Sequence, residues 1–306
     1  MKAIVLVGPT GVGKTDLSLQ IANSVFEIIS ADSVQVYRYL DIGSGKPTIE
    51  QRNHTTHYLI DVVDPDYWFT AGQFCKLAFG ACEEVYKKNR IPLFVGGTPF
   101  YINSFFLGLS SIPAIDKSIR QQLIEELGKR GVGSLYRELL EYDNIFASKI
   151  HFNDKQRILR GIEVYRSTAR PISSFYNQKK GFETKDTLYI GLYQEKDILH
   201  RRIDNRVDKM IRTGFVDEVI NIRSMGFGSD LNSMKSIGYN ELNYYIDGKL
   251  ALEEAIDNVK ANTKKYAKRQ MTWFRKNKRI HWFTSFEVER MRELIDKWLD
   301  TILLDN

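Results

Sequence analysis

The chain has 306 residues, 44 Lys and Arg against 38 Asp and Glu, a formal net charge of +6 and 43% hydrophobic residues. That length can bury a sizeable core in one large or two modest domains, and no apolar run is long enough to span a membrane. The positive balance suits a polyanionic partner, while two cysteines and no Cys/His cluster argue against a zinc site.

The N-terminus enters a strand at once, without the character of a signal or transit peptide, so a soluble cytoplasmic chain is expected. Ala3 to Val7 reads as a short buried strand, and Asp16 to Ala22 as a helix with apolar residues at Leu17 and Ile21. Between them Gly8, Pro9, Thr10, Gly11, Val12, Gly13, Lys14 and Thr15 match the phosphate-loop pattern G-x-x-x-x-G-K-[ST]. Such a loop turns backbone N–H groups toward a pyrophosphate at a helix N-terminus. Lys14 is expected to neutralise the outer phosphate and Thr15 to hold Mg²⁺. Kinases, GTPases, other nucleotide-binding and ATP-binding proteins and some transferases share this cradle, so it leaves the ligand open.

Phe26 to Ser30 reads as a second strand, followed by Asp32, Ser33, Val34 and Gln35. Residues just past a strand's carboxyl end line the ligand crevice of an open parallel sheet, which places Asp32, Ser33 and Gln35 beside the phosphate loop. Asp32 could equally cap a helix. Asp41 to Pro47 is a glycine-broken loop that brings Lys46 over the same crevice. His57 to Val62 reads as a strand whose Asp61 resembles the acidic residue of the second nucleotide-binding motif in NTPases. Thr70-Ala-Gly-Gln73 is a capping box for a helix with apolar Phe74, Leu77, Ala78, Ala81 and Val85. Cys75 and Cys82 lie on one face of that helix, too far apart to pair, and read as core residues. Ile91 to Val95 is a further strand, and Gly96-Gly97-Thr98 sets the Thr98 hydroxyl at the crevice.

From about Ile112 the alternation stops: Asp116 to Arg130, Ser134 to Tyr142 and Asp154 to Ser167 all read as helices. Strand character returns at Thr187 to Tyr193. The division expected is an α/β core over 1–112 and 187–306, with an inserted helical domain over 113–186. Within the insertion Asp154, Arg157 and Arg160 share a helix face, where solvated salt bridges are the plain reading. Leu199 to Arg212 is a helix burying Ile203, Val207, Met210 and Ile211, ended by Gly214, with Arg202, Arg206 and Lys209 on another face. Arg202 and Arg206 could each reach a diphosphate. The turn Ser236 to Glu241 has no role readable from physics. From Lys260 to Arg279 there are nine basic residues and no acidic one. Here a helix from Asn262 to Lys276 carries Ala267, Met271 and Phe274 on its apolar side, and Lys264, Lys268 and Arg275 with Tyr266 and Trp273 elsewhere. Basic residues interleaved with aromatics suit a phosphate-tracking, base-stacking surface.

Taken in order, Gly8 to Thr15, Asp32 to Tyr37, Asp41 to Pro47, Gly96 to Thr98, Gln156 to Arg160 and Tyr266 to Arg275 resemble the bacterial tRNA dimethylallyltransferases, of the tRNA isopentenyltransferase family. The resemblance implies transfer of a dimethylallyl group from dimethylallyl diphosphate to N6 of adenine 37 in tRNA, by a P-loop parallel-sheet core that hydrolyses no nucleotide. It implies that Asp32 is the general base, that Thr98 and Lys14 act at the reacting centre, and that the phosphate loop with Arg206 holds the diphosphate. It implies RNA contacts at Asp32, Ser33, Val34, Gln35, Thr98, Arg120, Gln156, Arg157, Ile158, Leu159 and Arg160, with Lys268 and Arg275 on the basic helix. The adenine would be flipped out of its stack, with Mg²⁺ as cofactor and the chain a monomer. Ser44-Gly45 stands where the family commonly has Thr-Ala, and the chain ends without the zinc-finger extension of eukaryotic relatives. A small-molecule kinase would share the loop but leave the basic-aromatic helix unexplained. An adenylate isopentenyltransferase would need no RNA surface, and a non-catalytic RNA-binding protein would give Asp32 and Thr98 no purpose.

Overall fold

The computed structural model describes residues 2–22, 25–113, 115–178, 181–182 and 185–304. Six strands are each preceded or followed by helices: β1 (Ala3–Val7), α1 (Lys14–Ile21), β2 (Phe26–Ser30), α2 (Ile49–His54), β3 (His57–Tyr58), α3 (Ala71–Lys87), β4 (Ile91–Gly96) and α4 (Pro99–Phe106) come first. Three helices come next, α5 (Lys117–Tyr142), α6 (Asn144–Ala147) and α7 (Lys155–Thr168). The chain then runs through β5 (Thr187–Leu192), α8 (Lys196–Arg212), α9 (Phe215–Ser224), α10 (Tyr239–Ile246), α11 (Leu252–Phe274), β6 (Ile280–Phe283) and α12 (Val288–Leu304).

The strands form one parallel sheet in the order β3-β2-β4-β1-β5-β6. Every residue of β1, β2 and β5 is buried, as a parallel sheet covered on both faces requires. The order places β1 at the centre with β4 and β5 as neighbours, so the loops leaving β1, β2 and β4 share one end of the sheet.

The strand expected over 57–62 stops at Tyr58, because Leu59 and Asp61 take positive φ angles of 64° and 57° that leave extended geometry. Thr70 and Gln73 do form the capping box of α3, and Leu77 on that helix is exposed rather than packed. The helix expected from Asn262 starts at Leu252, and Met210, Ile211 and Met271 are only half-buried. Cys82 is buried and Cys75 half-buried, both as free thiols.

The chain divides into two compact units, Met1–Phe106 with Phe182–Asn306, and Leu107–Gly181. The division expected at 113 and 186 thus falls at 107 and 181. Phe182 already belongs to the sheet unit: its N–H donates to the Phe105 carbonyl at 3.1 Å and its ring stacks on Phe105 with centroids 4.8 Å apart. The helical unit has its own core of Leu123, Leu135, Leu139, Ile158, Ile162 and Phe175. Its two expected helices, 116–130 and 134–142, are one element broken at Gly131, where φ is 73° and ψ 161°.

Candidate active site

The loop from Gly8 to Gly13 joins the central strand to α1, and Gly13 stands at the helix N-cap with φ 102°. The Lys14 ammonium donates to the carbonyls of Gly8 and Pro9, each at 2.9 Å, so the loop itself holds the lysine over its concave side. Burial pushes the Lys14 pKa down to about 8, with Asp32 opposing and Arg206 adding to the shift. Not every loop residue can serve an anion. Pro9 has no N–H, the Thr10 N–H is spent on Gln270 Oε1 at 2.8 Å, and the Val12 N–H turns back to Pro9 O at 3.4 Å. The donors left for a phosphate are the amides of Gly11, Gly13, Lys14 and Thr15, at the unsatisfied start of a helix.

A crevice of about 810 Å³ opens beside them, lined among others by Lys14, Thr15, Asp32, Gln35, Arg202 and Arg206. Asp32 follows β2. Its Oδ1 accepts from the N–H groups of Val34 at 2.9 Å and Gln35 at 3.4 Å, and Oδ2 has no protein partner among the described residues. Asp32 is therefore both a local cap and a carboxylate facing the crevice. Thr98 follows β4; its hydroxyl accepts from the Ser33 N–H at 3.1 Å and lies 3.4 Å from the Ser33 hydroxyl. The ends of β2 and β4 are thereby locked together next to Asp32. Gln35 turns to Ser30 Oγ at 2.9 Å and Gly45 O at 3.4 Å.

Arg202 and Arg206 both reach the crevice from α8, and their partners distinguish them. Arg202 donates to Val12 O at 3.2 Å and Ser285 Oγ at 3.4 Å, which makes it a brace for the phosphate loop. Arg206 has one long contact, to Ser44 O at 3.4 Å, and burial lowers its pKa against the pull of Asp32. It is the cation with more capacity to spare for an anion.

Lys46 lines the crevice, as its loop implied, but its charge is already spent, and Asp61, read as a nucleotide-site acid, is not among the lining residues and serves as its partner. The Lys46 side chain is only 3% exposed, and its ammonium is saturated by Tyr37 O at 2.7 Å and by Asp41 and Asp61 at 2.6 Å each. Burial would raise the Asp61 carboxyl, but Lys46 and Arg52 outweigh it and hold the pKa below its ordinary value. The pair is a clamp on the Asp41 to Lys46 loop. Sequence reasoning missed the clamp's other half. Glu218 accepts from the N–H groups of Asp41, Ile42 and Gly43 at 3.1, 2.6 and 3.2 Å and from Tyr239 Oη at 2.7 Å. The unassigned turn around Gly238 therefore positions Tyr239 for that loop, and Glu241 caps α10 by accepting from Gly238 N at 2.7 Å.

The comparisons with known proteins name what this geometry belongs to. The family model for IPP transferases matches residues 35–277. The tRNA dimethylallyltransferase of Dictyoglomus turgidum is 44% identical over 299 residues, covering 95% of this chain and 90% of its relative. That of Thermotoga petrophila is 41% identical, with 97% of each chain covered. The chain belongs to the IPP transferase family. Among solved structures, the full-length tRNA isopentenylpyrophosphate transferase of Bacillus halodurans is similar with a TM-score of 0.71 at 36% identity, covering 100% of this chain and 99% of that one. A eukaryotic dimethylallyltransferase acting on tRNA is similar at 0.72 and 30% identity, covering 89% of this chain and 69% of that one.

Outside the crevice, this IPP transferase presents part of the set expected at an RNA surface. In the helical unit Gln156 and Arg157 are exposed at the start of α7, and Arg157 pairs with Asp154 at 3.5 Å. Ile158 and Leu159 are buried in the unit's own core, so their side chains are not available to an RNA. Arg160 and Arg120 both approach Glu163, at 2.9 and 3.9 Å. On α11, Lys260 and Lys264 are tied to Asp208 and Asp204 of α8 at 2.6 and 2.7 Å, and Arg279 packs over the Tyr189 ring and donates to Thr187 O. The solvated basic face is accordingly narrower than the sequence implied: Lys265, Lys268, Arg269, Arg275, Lys276, Lys278 and Arg279 remain exposed while Lys260 and Lys264 are half-buried, with Trp273 beside Lys276. Tyr266 faces inward instead of stacking outward. Its hydroxyl donates to Gly97 O at 3.3 Å, and burial pushes its pKa up to about 12.

Proposed function

We propose that this chain transfers a dimethylallyl group from dimethylallyl diphosphate to N6 of adenine 37 in tRNA, releasing diphosphate. The observation that carries the reading is a free carboxylate oxygen on Asp32 facing the same crevice as Lys14 and Arg206, in an IPP transferase. An exocyclic amine is a weak nucleophile, so its proton passes to Asp32 Oδ2 as the N–C bond forms. The allylic C–O bond breaks in the same step, and the charge that collects on the departing diphosphate is met by Lys14, Arg206 and the amides of Gly11, Gly13, Lys14 and Thr15. Thr98 holds the Ser33 backbone, and with it Asp32, at the required distance. Arg202 supports this arrangement through the loop rather than by touching the diphosphate.

The described residues hold no cluster of His, Cys, Asp or Glu able to bind a metal ion by themselves. The donor set does fit magnesium shared with the substrate: Thr15 lines the crevice beside Lys14, and Mg²⁺ keeps few protein ligands when phosphate oxygens are present. Bound there, Mg²⁺ would neutralise charge on the diphosphate. The adenine must leave its stack to reach Asp32, and the exposed cations of α11 with Arg120, Gln156, Arg157 and Arg160 are the residues we assign to the RNA. No helix among the described residues is long and apolar enough to cross a membrane. A monomer working in the cytoplasm, where tRNA is found, completes the reading.

The test mixes the protein with Mg²⁺, dimethylallyl diphosphate and an unmodified anticodon stem-loop bearing adenine at position 37, and reads the RNA's mass. A gain of one dimethylallyl group that Asp32→Ala abolishes is the expected result. An unchanged RNA mass, with phosphate transfer from ATP to a small molecule instead, would overturn it.

A further inference from the structure

The proposed reaction needs two loops in register: the phosphate loop that carries the diphosphate and the Gly97-Thr98 turn that sets Asp32. One side chain outside both loops touches both. Gln270, on α11 and 2% exposed, accepts from the Thr10 N–H at 2.8 Å through Oε1 and donates to the Gly97 carbonyl at 2.5 Å through Nε2. The contact is tight on the strand side, where a Cβ on Gly97 would collide with Nε2, and Tyr266 one turn earlier reaches the same carbonyl at 3.3 Å. From Gly97 the chain of contacts continues through Thr98 Oγ1 to the Ser33 N–H beside Asp32.

We infer that Gln270 is a positioning residue that fixes the distance between the diphosphate cradle and the base at Asp32. The inference rests on the prenyl-transfer reading and adds a role to a residue that touches neither substrate. A buried amide is suited to the task because it supplies one acceptor and one donor in a fixed plane, and both are used here. Its diversion of the Thr10 N–H from the anion is part of the same function. That amide ties the loop to α11, while the amides of Gly11, Gly13, Lys14 and Thr15 are left for the anion. The helix that bears Gln270 also bears Lys268 on its exposed face and leads directly into Arg275, so the element that would meet RNA is the one that aligns the two loops.

Gln270→Leu keeps the volume and removes both bonds. Its turnover should fall about 100-fold, the scale of an ångström-sized misplacement, while KM for dimethylallyl diphosphate and for the stem-loop moves less than about threefold. Hydrogen exchange should rise selectively in the peptides covering 8–15 and 96–102, with the 187–192 strand unchanged. Gln270→Glu keeps the acceptor for Thr10 but sets a carboxylate against the Gly97 carbonyl. Its rate relative to the parent should therefore recover as pH falls and the carboxyl becomes a donor. Parental turnover with parental exchange in Gln270→Leu would overturn the inference, as would exchange raised uniformly across the sheet. If the parent protein makes no prenylated RNA, the prenyl-transfer reading fails, and the exchange measurement still decides whether Gln270 couples the two loops.

Discussion

At the residue scale the candidate site depends on which polar groups are already satisfied. Lys14 is held by two loop carbonyls and its pKa is lowered to about 8, so its charge is present at neutral pH and is lost above that value in the free protein. Affinity for inorganic pyrophosphate should weaken by up to about tenfold per pH unit above 8. Titration calorimetry on the parent and on Lys14→Met checks this, because the variant's profile carries the ligand's own titration alone and the difference isolates the lysine. The two arginines separate in the same manner. Arg206→Ala should lower turnover by about 100-fold or more, as loss of one preorganised donor to a developing charge does, with little change in stem-loop affinity. Arg202→Ala should cost less, since its guanidinium is engaged by Val12 and Ser285. Single-turnover rates on both variants decide the order. The placement of the phosphate loop and Asp32 on the crevice was legible because motif and strand end coincide, whereas Thr98, expected at the crevice, is not among its lining residues and instead braces Ser33. Gln270 was not legible, because its role is set by contacts across 260 and 173 positions of chain, which no local pattern encodes.

At the scale of elements, continuous apolar runs were legible and balanced ones were not. β1 and β2 read directly from the sequence since both of their faces are covered. β6 did not: it lies at the sheet edge, and its His281 is exposed between the basic run and α12. The break in α5 was visible as a gap between two helices but not as a structure. In the fold that break is spanned by charge: Arg130 reaches Glu126 and Glu138 at 2.8 Å each, and Arg166 of α7 reaches both at 2.6 Å. Gly131 between them has a φ of 73° with an extended ψ, a region that side chains rarely enter. Gly131→Ala should destabilise the helical unit by about 1–3 kcal/mol, measured as a shift of its urea midpoint by circular dichroism. The bridges add a pH dependence. Arg166 first, then Arg130, holds the Glu126 carboxyl at about 2, against an ordinary value of 4.5. A depressed carboxylate contributes stability that is complete above its unfolded pKa and disappears as the pH falls through the folded one. The unit should therefore lose stability between about pH 4.5 and 2, and Arg166→Ala should flatten that part of the profile.

At the scale of the whole molecule, a net charge of +6 says less than where unpaired charge lies. The stretch from Lys260 to Arg279 contains no acid in sequence, yet two of its lysines meet acids from α8, distant in the chain, and these pairs fasten α11 to the site's other cationic helix. Sequence periodicity places residues on a helix face but does not show what a distant helix brings to that face. The consequence is a sorting of the basic residues by partner. Lys268 and Arg275 are exposed, so under the proposed function each would neutralise an RNA phosphate with release of a counterion, whereas Lys260 is already neutralised by Asp208. Stem-loop affinity measured against salt should therefore fall less steeply in Lys268→Ala and Arg275→Ala, the slope dropping by about one for each. Lys260→Ala should leave that slope unchanged and lower thermal stability by less than about 1 kcal/mol. Equal slopes for all three variants would mean that RNA is held elsewhere on the molecule, and that the tie between α8 and α11 serves the fold alone.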